Sequence, residues 1–356
     1  MNRASKLGTW VAAVALLSLT AAGCGSSDAA DSGSAAQKLS TKELVKKAKG
    51  EGKAVWYAGG VRAQDAAAAF EKKYGIKVRV ERLSGGALSQ RVQGDVKSTG
   101  HLGADVIDNA NMDLLSELVE QGLARHLTAK DVPGYPVAGE VKGVGNTCRI
   151  SVAVIGYNTE LLGKWRPKTW RDLLDPRLKG KLMVSDPNDS DAWATLWSQV
   201  LRTPALGRDY LKSVAAQGIQ PVASSLVGAE QLGAGQGAAL VAATTSLLED
   251  QQKAKAPVGF FVPKDPSPVV PTVCMPAIGS AHPYAGELLE RYLLSKEGQE
   301  VLNSTERAAS VYTGLKGTLA LPPNAAPMPH DKDFTAQTAR VRKDLPEINK
   351  LLGVGQ

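Results

Sequence analysis

Short apolar strand segments alternate with helical segments along most of this chain, and glycine-containing loops separate them. The strand pattern AVWYAGG, which begins at Ala54, precedes the helical run QDAAAAFEKKYG, and the strand IKVRVERL precedes the helical run ALSQRVQGDVKS. Strands and helices that alternate at these lengths indicate largely parallel strands joined by helical crossovers. The pattern therefore predicts an α/β fold with mainly parallel sheets.

A second stretch of the same kind follows the apolar strand ISVAVIGYNT, which begins at Ile150. It runs through KLMVSDP, a helix from Asp191 to Leu201 and the alanine-rich GAALVAATTS. A further apolar strand around Cys274 leads into the helical run AGELLERYLLSKEGQEVLN. With 356 residues, of which 43% are apolar, the chain is long enough to bury two cores. We therefore expect two domains.

The N-terminal residues indicate export. Basic residues precede an apolar run, Trp10 to Ala22, that is too short to cross a bilayer comfortably and ends in small residues before Cys24. The segment LTAAGC, residues 19 to 24, resembles a lipobox. We expect Cys24 to carry lipid and to anchor the exported protein to the outer face of the cell membrane. The alternative is conventional cleavage, with Cys24 as an incidental thiol.

Charge and motifs exclude several classes of function. The formal net charge is +7, but Lys and Arg are scattered among acidic residues, so we expect no nucleic-acid partner. The chain has no GxSxG, Walker or HExxH motif, and no His neighbours its cysteines, so we expect no enzyme and no cofactor. The histidines show no metal-ligand spacing, so no metal site is predicted. They are His101, His126, His282 and His330.

Several phrases match, in order, the family 1 extracellular solute-binding proteins of ABC importers, and within them the ferric-iron-type branch. They include FEKKYGIKV, GADVIDNANMDLLSELVEQGLARHL, VIGYNTELL, PKTWRDLLDPRLKGKLMVSDPNDSDAW and AHPYAGELLERYLLSKEGQEVL. The chain thus resembles this family from Val55 to about Thr313. The resemblance implies the type II periplasmic-binding-protein fold, with two lobes and a hinge of crossing strands. It also implies capture of a small ligand for an ABC permease, by a protein that we expect to be a monomer.

This fold gives the expected domain organisation. Lobe 1 comprises residues 40–150 and about 275–330, and lobe 2 comprises residues 151–274. We expect residues 1–23 to be a signal peptide, residues 24–39 a flexible tether rich in Gly, Ala, Ser and Asp, and residues 331–356 a helical C-terminal segment.

The chain departs from ferric-binding relatives at one position. Those relatives carry two adjacent tyrosines at about the place of Thr244 and Thr245. Phenolate oxygens bind a hard trivalent cation, whereas threonine hydroxyls do not ionise near neutral pH. We therefore favour a small anionic ligand, such as an oxyanion or a phosphorylated or carboxylated organic molecule. Ferric iron is the alternative, held by Tyr57, Tyr157 or Tyr312, and a sensor or structural surface lipoprotein is a more distant one.

Ligands of parallel α/β sheets bind outside the carboxyl ends of the strands, where loops lead into helix N-termini. The candidate ligand-binding residues lie in loops of this kind, and in each case the alternative role is packing or helix capping. Arg62 and Arg149 are candidate counter-ions. The ligand-binding candidates are Tyr57, Ala58, Gly59, Ser84, Gly85, Gly86, Asn109, Asn111, Ser190, Thr244 and Thr245.

Two cysteines besides Cys24 lie within strand candidates that could connect the lobes. An exported protein meets an oxidising environment, in which Cys148 and Cys274 can be bridged if the two strands lie side by side. Two thiols packed in a core are the alternative. We predict the disulfide as a hypothesis.

Overall fold

The structure, a computed structural model, describes residues 35–83, 85–264, 266–326 and 334–354. Within these ranges it is an α/β protein of two lobes, and eleven strands form one sheet that runs through both lobes. The α/β class predicted from the alternating pattern is confirmed. Residues 1–34 lie outside the described ranges, together with the expected signal peptide, Cys24 and most of the tether.

Lobe 1 comes first along the chain, and the two inner strands of its parallel set are largely buried on both faces. Its elements are α1 (Thr41–Glu51), β1 (Lys53–Ala58), α2 (Ala63–Tyr74), β2 (Lys77–Arg82), α3 (Gly85–Thr99), β3 (Val106–Asn109), α4 (Met112–Glu120) and β4 (Glu140–Val141). β1 pairs in parallel with β2 and β3. Trp56 packs on one face of β1 with Phe70, and Tyr57 packs on the other with Leu115. Burial of both faces explains the continuous apolar run from Ala54 to Ala58 in β1.

A long strand then carries the chain into lobe 2. The elements are β5 (Gly145–Asn158), β6 (Leu182–Ser185), α5 (Asp191–Arg202), α6 (Gly207–Ala215), β7 (Gln220–Val222), α7 (Ser225–Gly233), β8 (Ala239–Thr244), α8 (Thr245–Lys253) and β9 (Val258–Phe261). Short 3-10 turns, Trp170–Leu174 and Pro176–Leu178, precede β6. β6 pairs in parallel with β7 and β8. Leu182 and Met183 of β6 face two separate apolar clusters, so lobe 2 has a core on each side of its sheet.

A second long strand returns the chain to lobe 1. The remaining elements are β10 (Ser267–Pro276), α9 (Pro283–Leu294), α10 (Lys296–Glu306), β11 (Ala325–Ala326) and α11 (Phe334–Leu352). Helices α9 and α10 pack on α1 and α2 of lobe 1. The strand order is β2-β1-β3-β10-β5-β8-β6-β7, with β4 and β9 paired to β5 and β11 paired to β10.

The two long strands join the lobes. β5 pairs antiparallel with β10 between Asn146 and Val152, and with β8 of lobe 2 from Ala153 onward. β10 in turn pairs antiparallel with β3 of lobe 1. The sheet is thus parallel within each lobe and antiparallel where the strands cross, which confirms the two-lobed fold with crossing strands. The expected boundaries at residues 150/151 and 274/275 fall inside these two strands.

The C-terminal helix α11 lies on lobe 2. It packs against α5 and α6, where Ile348 and Leu352 enter the apolar cluster around Trp197. The buried Asp344 carboxylate accepts hydrogen bonds from Arg202 Nε and Nη2, both at 2.6 Å, and from Ser198 Oγ at 2.7 Å. Burial alone would raise the pKa of Asp344, but these hydrogen bonds outweigh it and lower the pKa below its ordinary value.

We expect Asp344→Asn to destabilise the folded protein at neutral pH by about 1–2 kcal/mol, because it removes two charge-assisted hydrogen bonds to a half-exposed arginine. A lowered pKa in the folded state contributes stability above the unfolded pKa, and this contribution is lost as the pH falls through the folded pKa. The difference between variant and wild type should therefore shrink in urea unfolding at about pH 3. The exposed Lys343→Gln variant is the control, and an equal difference at both pH values would contradict the prediction.

None of the helices in the described ranges is long and apolar enough to cross a membrane.

Candidate functional site

A cleft of about 390 Å³ lies between the lobes. Strand ends and helix starts from both lobes form its walls, and the crossing strands form its floor. This is the location expected for a ligand of a parallel α/β sheet, because the carboxyl ends of the strands leave backbone groups and loops free. The lining residues used below are Gly59, Arg82, Asn109, Arg149, Ser151, Asp189, Ser190, Trp193, Ser224, Ser225, Thr244 and Thr272.

Lobe 1 supplies its wall from the ends of its three parallel strands. Gly59 follows β1, Arg82 ends β2, and Asn109 ends β3. Asn109 Oδ1 accepts a hydrogen bond from the Asn111 backbone N–H at 2.7 Å, which fixes the orientation of this amide group at the cleft wall. Asn111 itself caps α4, because its Oδ1 accepts from the Leu114 N–H at 3.0 Å.

Lobe 2 supplies hydroxyl groups at three helix starts. Ser190 is the N-cap of α5, Ser224 that of α7 and Thr244 that of α8. Ser224 caps its helix through the Val227 N–H, whereas Ser190 and Thr244 make no side-chain capping bond. Two of these three hydroxyls are therefore available to a ligand at helix N-termini, where negative charge is favoured.

Charged side chains face each other across the mouth of the cleft. Asp189 of lobe 2 is half-buried, and burial together with the neighbouring Asp186 raises the pKa of its carboxyl, while Arg82 of lobe 1 acts in the opposite direction. Arg82 is exposed. This edge of the cleft thus combines a cation from one lobe with a carboxyl from the other.

Arg149 lies on the floor, where it is only 8% exposed. Its Nη2 donates to Thr272 Oγ1 at 3.3 Å, the one hydrogen bond that its guanidinium makes among the described residues, and its Nε is buried without a partner. Asp108 and Glu306 lie beside it, each with a carboxylate oxygen at 3.7 Å. These separations exceed those of charge-assisted hydrogen bonds. Most of the guanidinium donors therefore remain uncommitted next to the cleft.

The loop after β1 needs glycine because Arg149 passes close to it. A Cβ on Gly60 would lie 2.2 Å from Arg149 Nη1 and 2.4 Å from Glu306 Oε1. Asp108, which is buried below this loop, accepts a hydrogen bond from the Gly59 N–H at 3.1 Å. Burial raises the pKa of Asp108, and the Arg149 charge acts against this rise. The loop, the arginine and the two carboxylates thus form one packed unit at the floor.

The cleft brings together four of the eleven ligand-binding candidates: Gly59, Asn109, Ser190 and Thr244. Thr245 lines a smaller cavity that adjoins it. Tyr57 and Ala58 are fully buried in lobe 1, because β1 continues through Ala58. Gly85 and Gly86 begin α3, and Asn111 caps α4. Ser84 lies outside the described residues.

The tyrosines named for the ferric alternative lie apart from one another and from the cleft lining. The Tyr57 hydroxyl donates to Asp95 at 2.8 Å, and burial and this bond raise the pKa of Tyr57 to about 12. Tyr312 donates to the Leu294 carbonyl at 3.1 Å, and Tyr157 packs against the core of lobe 2. Within the described ranges, no three His, Cys, Asp or Glu side chains form a group that could hold a metal ion.

The structure joins Cys148 and Cys274 in a disulfide with a Cα–Cα distance of 5.8 Å. The bond links the two crossing strands on the lobe 1 side, as predicted. The pairing register shifts here, because Thr272 faces Arg149 and the next residue, Val273, faces Thr147. Cys148 is thus the extra residue of a β-bulge. Bulges re-aim neighbouring side chains, and Arg149 directly follows this one.

The sequence from residue 103 to residue 338 matches the family model of bacterial extracellular solute-binding proteins. The match covers more than half of the chain, and the chain belongs to this family. It is a solute-binding protein of the kind that serves ABC importers. The members of this family are binding proteins rather than enzymes. Their extracellular location fits an exported protein.

Individual relatives are more distant. An uncharacterized protein of Haemophilus influenzae is 29% identical over 131 residues, which are 34% of this chain and 37% of that protein; the match spans well under half of its length. The periplasmic binding protein AfuA of Actinobacillus pleuropneumoniae, solved with fructose-6-phosphate, is 22% identical, with a TM-score of 0.66 over 85% of this chain and 98% of that chain. Iron-bound HitA of Pseudomonas aeruginosa is 18% identical, with a TM-score of 0.66 over 84% and 99%. Both share the periplasmic-binding-protein fold.

Proposed function

We propose that this protein captures a small organic anion between its lobes and delivers it to an ABC permease. The observation that carries the proposal is the buried Arg149, whose uncommitted donors lie on the floor of the cleft. Hydroxyl and amide groups surround this cation, as they do in sites that orient an oxygen-rich ligand. The volume of about 390 Å³ favours an organic molecule over a bare oxyanion.

We further propose that the lobes close over the ligand by bending of the crossing strands, and that the closed form docks on the permease. The proposal also includes lobe boundaries near residues 150 and 274, an N-terminal signal peptide, and a lipid anchor on Cys24. A monomer on the outer face of the membrane suits this role, because each binding event then presents one closed molecule to one permease.

Ferric iron is the weaker alternative. The lining described above contains no tyrosine, and the phenol of Tyr57 is kept protonated by burial and by Asp95. AfuA and HitA, which carry fructose-6-phosphate and iron in their respective structures, have equal fold similarity to this chain. The fold therefore does not favour either ligand, and the side chains of the cleft decide the preference.

A thermal-shift screen of the purified mature protein tests the proposal. The panel pairs each sugar phosphate, phosphonate or carboxylate with its uncharged counterpart, and adds inorganic phosphate, sulfate, polyamines and ferric citrate. We expect a rise in Tm with at least one organic anion and none with its counterpart, since a ligand at 100 times its Kd adds about 2.7 kcal/mol. A rise with ferric iron alone, together with a visible charge-transfer band, would overturn the proposal.

A further inference from the structure

A side cavity of about 80 Å³ adjoins the cleft between the loop after β1 and the start of α8. It offers several times the space that one water molecule requires. Gly59, Arg149 and Thr244 line both the cleft and the side cavity, so one ligand can reach into both. The other polar residues of the side cavity are Ser151, Thr245, Ser246, Glu306 and Arg307.

Thr245 gives the side cavity an unsatisfied donor. The residue is 2% exposed, and its hydroxyl has no hydrogen-bond partner among the described residues. Buried hydroxyl groups are nearly always hydrogen-bonded, because an unmade bond leaves the desolvation cost uncompensated. A ligand oxygen in the side cavity would satisfy this group.

The start of α8 adds backbone donors at the same place. Thr244 is the N-cap of this nine-residue helix, and its side chain makes no capping hydrogen bond. Its hydroxyl instead lies 3.4 Å from the Ser246 hydroxyl. The first N–H groups of a helix have no partner within the helix, and the helix dipole favours an anion there. The unpartnered Thr245 hydroxyl and these N–H groups therefore both favour a negatively charged oxygen of a ligand.

Arg149 supplies the positive charge. Its buried Nε has no partner among the described residues, and its side chain lines the side cavity. Arg307 is committed elsewhere, because it donates to Glu249 Oε1 and to the Gly317 carbonyl, both at 2.8 Å. Arg149 is thus the cation whose donors remain available to a guest.

Glu306 restricts which anion fits. Its carboxylate accepts a hydrogen bond from the Arg62 N–H at 2.6 Å, and it remains in the lining next to Arg149. A second negative oxygen beside a carboxylate is unfavourable unless a proton lies between them. A phosphoryl group has a second pKa of about 6, within about one pH unit of neutrality, so the negative charge of a neighbouring carboxylate can shift it to the singly protonated form. Sulfate and carboxylate groups carry no such proton.

We infer that the side cavity is a subsite for the terminal phosphoryl group of the ligand, and that the cleft holds the organic remainder. Arg149, the Thr245 hydroxyl and the first N–H groups of α8 donate hydrogen bonds to the phosphoryl oxygens, and the Glu306 carboxylate accepts a hydrogen bond from the protonated one. This inference rests on the proposed capture of an organic anion and assigns that anion to the phosphorylated or phosphonylated class.

Calorimetric titration of the mature protein with inorganic phosphate tests the subsite. We expect Thr245→Val to weaken phosphate binding at least tenfold, while its Tm equals or exceeds that of wild type because a buried unsatisfied hydroxyl is removed. Ser213→Ala, which removes an exposed hydroxyl of α6 outside both the cleft and the side cavity, should bind phosphate within about twofold of wild type. Sulfate should bind wild type at least tenfold more weakly than phosphate.

Each contrary result has a separate meaning. Equal phosphate affinity in Thr245→Val, or equal affinity of wild type for sulfate, would overturn the phosphoryl subsite. If wild type binds an organic anion of the screening panel but no phosphate, the subsite is wrong and the capture of an anion stands. If neither phosphate nor any organic anion binds, both the subsite and the proposed function are wrong.

Discussion

Replacement of Arg149 by Gln is expected to weaken binding of an anionic ligand by roughly 100-fold. Hydrogen bonds to charged groups contribute about 1.5–3 kcal/mol each, and every 1.4 kcal/mol changes Kd tenfold. The effect is large because the guanidinium is buried and makes one hydrogen bond, to Thr272, among the described residues. Arg149→Lys should give an intermediate loss, because lysine keeps the charge but not the planar set of donors.

Two comparisons separate this effect from a loss of folding. Arg82→Gln also removes a cation from the cleft lining, but Arg82 is exposed, so we expect a loss of only about threefold. Circular dichroism and Tm report whether Arg149→Gln stays folded, since Asp108 and Glu306 lose their shared cation. If the folded Arg149→Gln variant binds the ligand as tightly as wild type, Arg149 is not the anion anchor.

The fold was predictable because it depends on local patterns. Apolar runs such as Ala54–Ala58, bounded by glycine and followed by helical segments, identify strands buried on both faces. The two long strands were found for the same reason, whereas their crossing between two lobes was implied by the resemblance to solute-binding proteins, and the disulfide was predicted on the condition that they lie side by side. The pairing of β5 with both lobes, however, depends on contacts that are distant in sequence.

The candidate site was predictable only in part. Gly59, Asn109, Ser190 and Thr244 stand where strand patterns end, and all four line the cleft. Tyr57 lies within β1 and is fully buried, and a run of apolar residues does not show where a strand ends. Ser84 remains a prediction, since it lies outside the described residues.

The sequence pattern did not indicate the other residues of the cleft. Ser224 and Ser225 follow β7, a strand of three residues, which is too short to show a hydrophobic period. Ser151 and Thr272 lie within the long apolar strands and resemble isolated core residues until β5 and β10 pair. Trp193 has the apolar character of a core residue and is only 5% exposed, yet it lines the cleft wall. A residue can thus be nearly buried in the protein and still line its cleft.

Removal of the disulfide should give the largest loss of stability. Cys148 and Cys274 are 126 residues apart, and a cross-link that closes so long a loop strongly restricts the unfolded chain. Typical losses for a native disulfide are about 2–5 kcal/mol. We expect the double variant Cys148→Ala with Cys274→Ala to melt roughly 5–15 °C below wild type.

Binding should respond differently from stability in the same double variant. Neither cysteine lines the cleft, and the bond links the crossing strands on the lobe 1 side, where β10 also pairs with β3. We expect the crossing strands to bend on the lobe 2 side of the disulfide, toward Ala153. Ligand affinity of the double variant should therefore stay within about threefold of wild type.

Reductant provides the control for the effect on stability. Wild type in reductant should melt like the double variant, and reductant should leave the melting of the double variant unchanged. Equal melting of the variant and the oxidised wild type would mean that the bond does not stabilise the fold, and a large loss of affinity at full folding would place the hinge at the bond itself.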